Sequence, residues 1–388
     1  MFDVQVEQNF SFISPEYAAL FARSAATAFQ SPLWLDFLYS SRLLSDHGAE
    51  PAVVTVRRRG DSGLVMVLPL VRRKHGLFRV VEFADFGVSD YAAPVCERTD
   101  CAELVEDADL RAQLWRALRP FDLLRLAKLR DDLLPFAGVL GHKTKSVPRH
   151  RSYSVDLERP FAQWRSQRMD PSLRKQLDKK RRQLARAGKV RFEVLERAEA
   201  ISAAFLAMRE FRWQRFQDRN DAMQSPGRFD FYLEVAQRGW ATGLSRTYGM
   251  WLDDCLIACG FGLTHQGTFL LLLTGSDLQN LRHYSIGLLC MEDIVRDCIE
   301  RGERTFDLTI GDEGYKKLFG TRTTPLSTTW RGGTLLGSLA AATLNSPKIE
   351  RLARVWVRGS WGMDSNHRPD GKQPPALPLS YPGSRQEI

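Results

Sequence analysis

The stretch from Leu256 to Lys317 constrains the fold more than any other part of this chain. Two apolar runs, Leu256–Leu263 and Thr268–Thr274, flank a short polar turn and predict paired strands. They lead into Gly275, Ser276 and Asp277, then Arg282-His283-Tyr284-Ser285-Ile286-Gly287, where a helix is expected to begin. A further strand carries Asp307 toward Gly311, Tyr315 and Lys316. A strand that delivers small residues and an Arg to a fresh helix N-terminus suits a pyrophosphate. The first-turn amides have no intrahelical acceptor there, and the helix dipole faces the anion.

Around this stretch the chain reads as two successive α/β units. With 388 residues and a hydrophobic fraction of 44%, it can build two ordinary cores. In residues 1–150, helices are expected over Glu16–Ala28 and Leu33–Leu43, the second capped by Ser31 with Pro32 in its first turn. Strands are expected at Pro51–Arg57, Leu64–Val71 and Phe78–Phe83, followed by an aromatic loop containing Asp90 and Tyr91. The basic stretch Lys143–Arg151, with Pro148, reads as a linker. Residues 151–335 form the second unit, in which Arg322–Arg331 is placed as a strand closing the sheet. Residues 336–360 read as a helical extension. Residues 361–388, rich in Pro and polar residues, read as a disordered tail resembling the translation of a tRNA gene on its opposite strand.

Charge is concentrated. From Arg165 to Arg191 there are eleven Lys or Arg and two Asp, a local excess that matches the formal +9 of the whole chain. Asp170 and Pro171 start a helix here, and Leu173, Leu177 and Leu184 form one narrow apolar stripe among the cations. The segment 173–186 is thus a candidate contact for tRNA or an anionic membrane face, weighed against a solvated helix surface. No run of residues is long and apolar enough to span a bilayer, and the N-terminus lacks the pattern of a signal peptide. Six dispersed cysteines, none in a CxxC pair, read as buried thiols of a cytoplasmic protein, peripheral at most to the inner membrane.

Several motifs carry a resemblance. Phe29-Gln30-Ser31-Pro32-Leu33-Trp34, Leu68-Pro69-Leu70 and Asp90-Tyr91 resemble the first half of the CelD-like acetyltransferases of cellulose and exopolysaccharide synthesis. Arg209 to Trp213, Tyr284-Ser285-Ile286-Gly287-Leu288-Leu289 and Phe306-Asp307-Leu308 with Gly311, Tyr315 and Lys316 resemble the second half. That family is similar to GNAT acetyltransferases and to FemAB-type aminoacyltransferases. The resemblance implies tandem GNAT-like domains, an α/β fold in which each unit is a mixed, mostly antiparallel sheet flanked by helices. It implies an acceptor-side first domain and acetyl-CoA or another acyl-CoA as co-substrate of the second. It also implies that Arg282-His283-Tyr284-Ser285-Ile286-Gly287 is the pyrophosphate loop, with Ser285 where a glycine is usual. The acceptor is then a small molecule or carbohydrate precursor. An aminoacyl-tRNA donor, and a non-catalytic accessory role beside a polysaccharide synthase, stand as alternatives.

Acyl transfer needs no metal, and no metal-ligand spacing is found. It needs an oriented acceptor, oxyanion donors and one route for a proton. Asp307, Glu313, Tyr315 and Lys316 are the catalytic candidates, with His283 a further proton or anion contact. Thr274 and residues 282–287 are the donor-binding candidates. Asp90, Tyr91, Arg209, Arg212 and Trp213 are candidates for the acceptor side. The competing reading makes Trp213 a core residue flanked by a snorkelling Arg.

Overall fold

The computed structural model describes residues 2–130, 147–217 and 221–346. In the first half the strands are β1 (Phe2–Glu7), β2 (Ala49–Pro51), β3 (Val53–Arg58), β4 (Leu64–Leu68), β5 (Leu70–His75), β6 (Phe78–Phe83), β7 (Val95–Cys96) and β8 (Leu123–Arg130). The second half holds β9 (Val147–Asp156), β10 (Val190–Leu195), β11 (Ser245–Leu252), β12 (Cys255–His265), β13 (Thr268–Ser276), β14 (Thr305–Ile310) and β15 (Arg322–Gly332). β1, β3, β4 and β7 make a small sheet. All the others join one sheet in the order β10-β11-β12-β13-β14-β9-β15-β8-β6-β5-β2.

Two expectations change here. Residues 147–151 of the expected linker belong to β9, which pairs with β14 on one side and β15 on the other. β15 does not close an edge. It lies mid-sheet, antiparallel to both β9 and β8, and so stitches the halves together. Alternating Thr and Ser with Leu326 and Trp330 suits a strand flanked on both sides.

The largest core cluster also spans the halves. Trp34 on the helix Pro32–Ser40 meets Phe231 of the helix Pro226–Gly239 edge-on, with ring centroids 4.8 Å apart. Phe205 of the helix Ala198–Phe216 packs on Phe261 of β12 in the same cluster. Tyr232 donates its hydroxyl proton to the Val88 carbonyl at 3.1 Å. Each buried aromatic contributes roughly 1.5–3 kcal/mol, so the contact between halves is core rather than a wet interface. Local patterns account for the helices. Asp170 accepts from the amides of Ser172 and Leu173, and Leu173, Leu177 and Leu184 are buried as their spacing requires. The first helix is shorter than expected, Pro15–Arg23, and Ser31 precedes the second without capping it through its side chain. Cys96, Cys259, Cys290 and Cys298 are buried thiols, whereas Cys255 is exposed. Of the C-terminal extension, Leu335–Leu344 is a helix, while residues 347–388 lie outside the described residues.

Candidate active site

The two halves repeat one detail of backbone geometry. β13 and β14 run parallel for three rows, ending at Leu270 opposite Asp307. β13 then continues beside β12 to Ser276, while β14 parts from it and its pairing with β9 is irregular between Asp307 and Ile310. In the first half β6 and β8 likewise run parallel for three rows, ending at Glu82 opposite Arg125. Each fork has a left-handed residue just past its last row, Thr309 (φ 55°) and Lys128 (φ 58°). Such backbone costs on the order of 1–3 kcal/mol for a residue with a side chain, and only a fixed surrounding retains it.

The forks differ in what fills them. At the first, Glu82 is buried and ion-paired to Arg73 and to Arg125 (2.8 Å), with His75 alongside. Lys128 is also buried and donates to the Ser89 carbonyl and the Asp85 carboxylate, both at 2.8 Å. These ion pairs line the first fork, where Glu82, Arg125 and Lys128 bound a pocket together with Gln30 and Tyr91. At the second fork, Asp307 stands at the parting of the strands and is partly open to solvent.

Tyr91, 216 residues earlier, donates its hydroxyl proton to Asp307 at 2.9 and 3.0 Å from the two carboxylate oxygens. The Thr309 amide donates to the same carboxylate at 2.7 Å. Burial nevertheless dominates and pushes the Asp307 carboxyl up to about 6, the hydrogen bonds and Lys316 pulling the other way. Asp90 is buried next to it, its carboxyl also raised by burial and partly held down by Lys128 and by the Thr309 hydroxyl. Lys316 is buried too. Its ammonium donates to the carbonyls of Leu308 (2.9 Å) and Ile310 (3.0 Å) and pairs with Glu313 at 3.0 Å. It thereby pins the diverging end of β14 and leaves its charge close to both carboxyls. Asp90, Tyr91, Asp307 and Lys316 are thus brought together from both halves.

A carboxyl near 6 can hold or release a proton at neutral pH. Because the Tyr91 hydroxyl stabilises the ionised form, Tyr91→Phe is expected to move the acid limb of the pH–rate profile upward. The rate at pH 7 should fall roughly threefold or more. An unmoved acid limb in kcat/KM against pH would sever Tyr91 from the proton path.

Beyond β13, Asp277 caps a short turn of helix and Ser285 precedes the helix Ile286–Arg301. Arg282 and His283 are exposed, the His283 ring lying 3.9 Å from that of Tyr284. Ser285 does not cap the helix with its hydroxyl. It sits at φ 55°, ψ 37°, a conformation natural to glycine, and its hydroxyl oxygen accepts a hydrogen bond from the Gln176 side-chain amide at 3.4 Å. Gln176 belongs to the basic helix Pro171–Ala187, which therefore flanks the loop. Arg181 of that helix points inward to Glu292 (2.7 Å) and Asp293 (2.9 Å), while Lys175, Lys179 and Arg182 remain exposed. Gly275 lets β13 pass close under the helix Ala198–Phe216, for a Cβ there would stand 3.0 Å from the Met208 Cα.

The other acceptor-side candidates do not converge on Asp307. Arg209 is exposed and lies over the Phe229 ring at 4.6 Å. Trp213 is 38% exposed, so it is not the core residue of the competing reading. Arg212 is a strut. It pairs with buried Asp221 through Nε (2.9 Å) and donates to the Thr274 carbonyl at 3.2 Å, fixing the free end of β13. Tyr315 is half-buried, its hydroxyl raised by burial and by Glu313, and it feels the charges of Arg212 and Arg215. Glu313 is exposed. Sequence reasoning missed Thr309, Glu82, Asp85 and Lys128. A cation or carboxylate inside an apolar strand, as in Leu123–Arg130, was the available signal.

Residues 171–317 match the family model described as an acetyltransferase (GNAT) domain. A search of curated proteins finds no match. Among solved structures, FemX is 11% identical over 80% of this chain and 94% of its own, with a TM-score of 0.57. L-PGS from Bacillus licheniformis is 11% identical over 89% of this chain and 99% of its own, with a TM-score of 0.52. At such identity the likeness is one of fold. The chain shares the mixed α/β fold of these structures, its sheets flanked by helices, and its second half matches a GNAT domain.

Proposed function

We propose that this chain transfers an acyl group from a coenzyme A thioester to an amine or hydroxyl acceptor bound between its halves. The observation that carries the reading is the open fork of β13 and β14, with Asp307 at its base and a helix N-terminus beyond. The donor supplies an activated acyl carbonyl, and the acceptor nitrogen or oxygen displaces its thiolate.

The first-turn amides of Ile286 and Gly287 and the guanidinium of Arg282 suit the donor pyrophosphate. The exposed cations of the flanking basic helix suit its remaining phosphate. Asp307 takes the proton that the acceptor loses as its new bond to the acyl carbon forms, and Tyr91 and the Thr309 amide keep its oxygens aimed. Lys316 offsets negative charge as that site turns over. Backbone amides of β13 past Leu270, no longer committed to β14, are suited to the carbonyl oxygen. The salt-bridged fork of the first half supports giving that half to the acceptor. The resemblance to CelD-like acetyltransferases favours a carbohydrate precursor of the cell envelope as acceptor, met in the cytoplasm or at the inner membrane face.

Arg282→Ala is expected to weaken coenzyme A binding about tenfold, as loss of one charge-assisted contact would. Calorimetric titration checks this, and an unchanged affinity would remove the loop from the donor site. A second reading, an aminoacyl-tRNA donor, draws on the position of the basic helix beside the loop. It requires tRNA binding that falls steeply with salt and is lost with the exposed lysines of 173–186.

A further inference from the structure

The helix Leu335–Leu344 is apolar on both sides. Its inner side, Gly337 and Ala341, packs on the sheet in a small cluster with Val80, Leu123 and Trp330. Its outer side carries Leu335, Leu336 and Leu339, which are 89%, 63% and 70% exposed. The sequence LLGSLAAATL contains no charged residue at all. A surface helix ordinarily turns a polar face to water, and one that is apolar all round normally meets a second apolar phase.

A further exposed leucine stands beside it. Leu77, 94% exposed, tips the turn between β5 and β6. Asp122 ties the two places together, because its carboxylate accepts from the Arg79 amide at 2.9 Å and from the Thr334 hydroxyl at 3.3 Å. Leu77 and Leu335 flank those two donors in the chain, so the four leucines share one end of the large sheet.

That end is cationic. Lys74 and Arg79 face each other across β5 and β6, an arrangement of like charges that is unfavourable in isolation. Arg116 and Arg119 lie at the C-terminal end of the helix Ala108–Leu118, which packs on the other face of the sheet against Val81 and Leu124 and reaches the same end through the Arg72 bond to the Leu118 carbonyl. Among the described residues Lys74, Arg116 and Arg119 have no acidic partner, and Asp122 is already engaged by Arg79. Exposed leucines and uncompensated cations at one end of the sheet fit a surface that is apolar below and anionic above.

We propose that this end of the molecule docks on an anionic lipid bilayer, the four leucines entering the acyl boundary and the cations meeting lipid phosphates. The basic helix 171–187, whose leucines are buried and whose Arg181 is paired, is not part of this face. The docking is independent of which donor the active site uses.

The test is co-sedimentation of the full chain with vesicles of phosphatidylglycerol and phosphatidylcholine in equal parts, and with phosphatidylcholine alone. Binding is expected for the anionic vesicles and should weaken with added salt. Leu336→Glu with Leu339→Glu should lower it at least about tenfold. Arg119→Glu should lower it roughly fivefold. Thermal stability should be unchanged in each case, since all three side chains are exposed. The proposal is overturned if the chain stays in the supernatant with both vesicles, or if the double Glu variant sediments as before. It is also overturned if sedimentation velocity shows a dimer that this variant dissolves without any vesicle binding, for the patch then joins two copies of the chain.

Discussion

Asp307→Asn is expected to lower acyl transfer by about 10²–10⁴-fold, the usual contribution of a positioned base, while leaving donor affinity within a few-fold of wild type. The same substitution should raise stability at neutral pH. Burial lifts the Asp307 carboxyl from 3.8 to about 6, so the folded chain holds this proton more tightly than the unfolded chain. Its favourable contribution is therefore complete below pH 3.8 and is lost as pH rises through about 6. Above that, the folded protein carries a poorly solvated charge that Asn does not have. Asn keeps an oxygen for the Thr309 amide and an NH₂ for the Tyr91 oxygen, so the packing is retained. Wild-type kcat/KM should fall below about pH 6, and the variant should lose that limb along with the rate. The measurements are single-turnover rates and thermal melts at pH 5 and pH 8. A variant with near-full activity, or one less stable than wild type at pH 8, would show that Asp307 only ties the halves together.

Arg212→Ala is expected to be the most destabilising change at the fork, by about 3–5 kcal/mol, because it strands Asp221 as a buried charge. It also frees the Thr274 carbonyl and with it the end of β13, so residual folded enzyme should bind donor less tightly. Combining it with Asp221→Asn should recover much of the loss in urea unfolding, since no uncompensated charge remains. If the double variant is as unstable as Arg212→Ala alone, the bond to Thr274 rather than the ion pair holds the fork.

How much of this was legible in the sequence depends on how far apart the interacting residues lie. The caps and stripes of the basic helix, the β12–β13 hairpin and the helix start at Ile286 follow from neighbours within a few residues. Ser285 was visible as a departure from glycine, but its left-handed backbone was not. The site itself was legible as a set of names without an arrangement. Asp307 stood out as a carboxylate in an apolar strand, and Asp90-Tyr91 as a polar pair in an aromatic loop. Nothing in either stretch says that they touch.

The sequence by itself determined the local elements, because capping, periodicity and turn chemistry are settled within one or two turns of chain. The tertiary structure alone decided that 147–151 is strand and that β15 lies mid-sheet, since pairing partners are chosen by long-range register. It alone decided which side chains line each of two equivalent forks. Both part after three paired rows; packing within the first half puts ion pairs into one, and packing across the halves sets Tyr91 against Asp307 in the other. The raised Asp307 carboxyl is the product of that packing, for desolvation depends on what surrounds a residue in space.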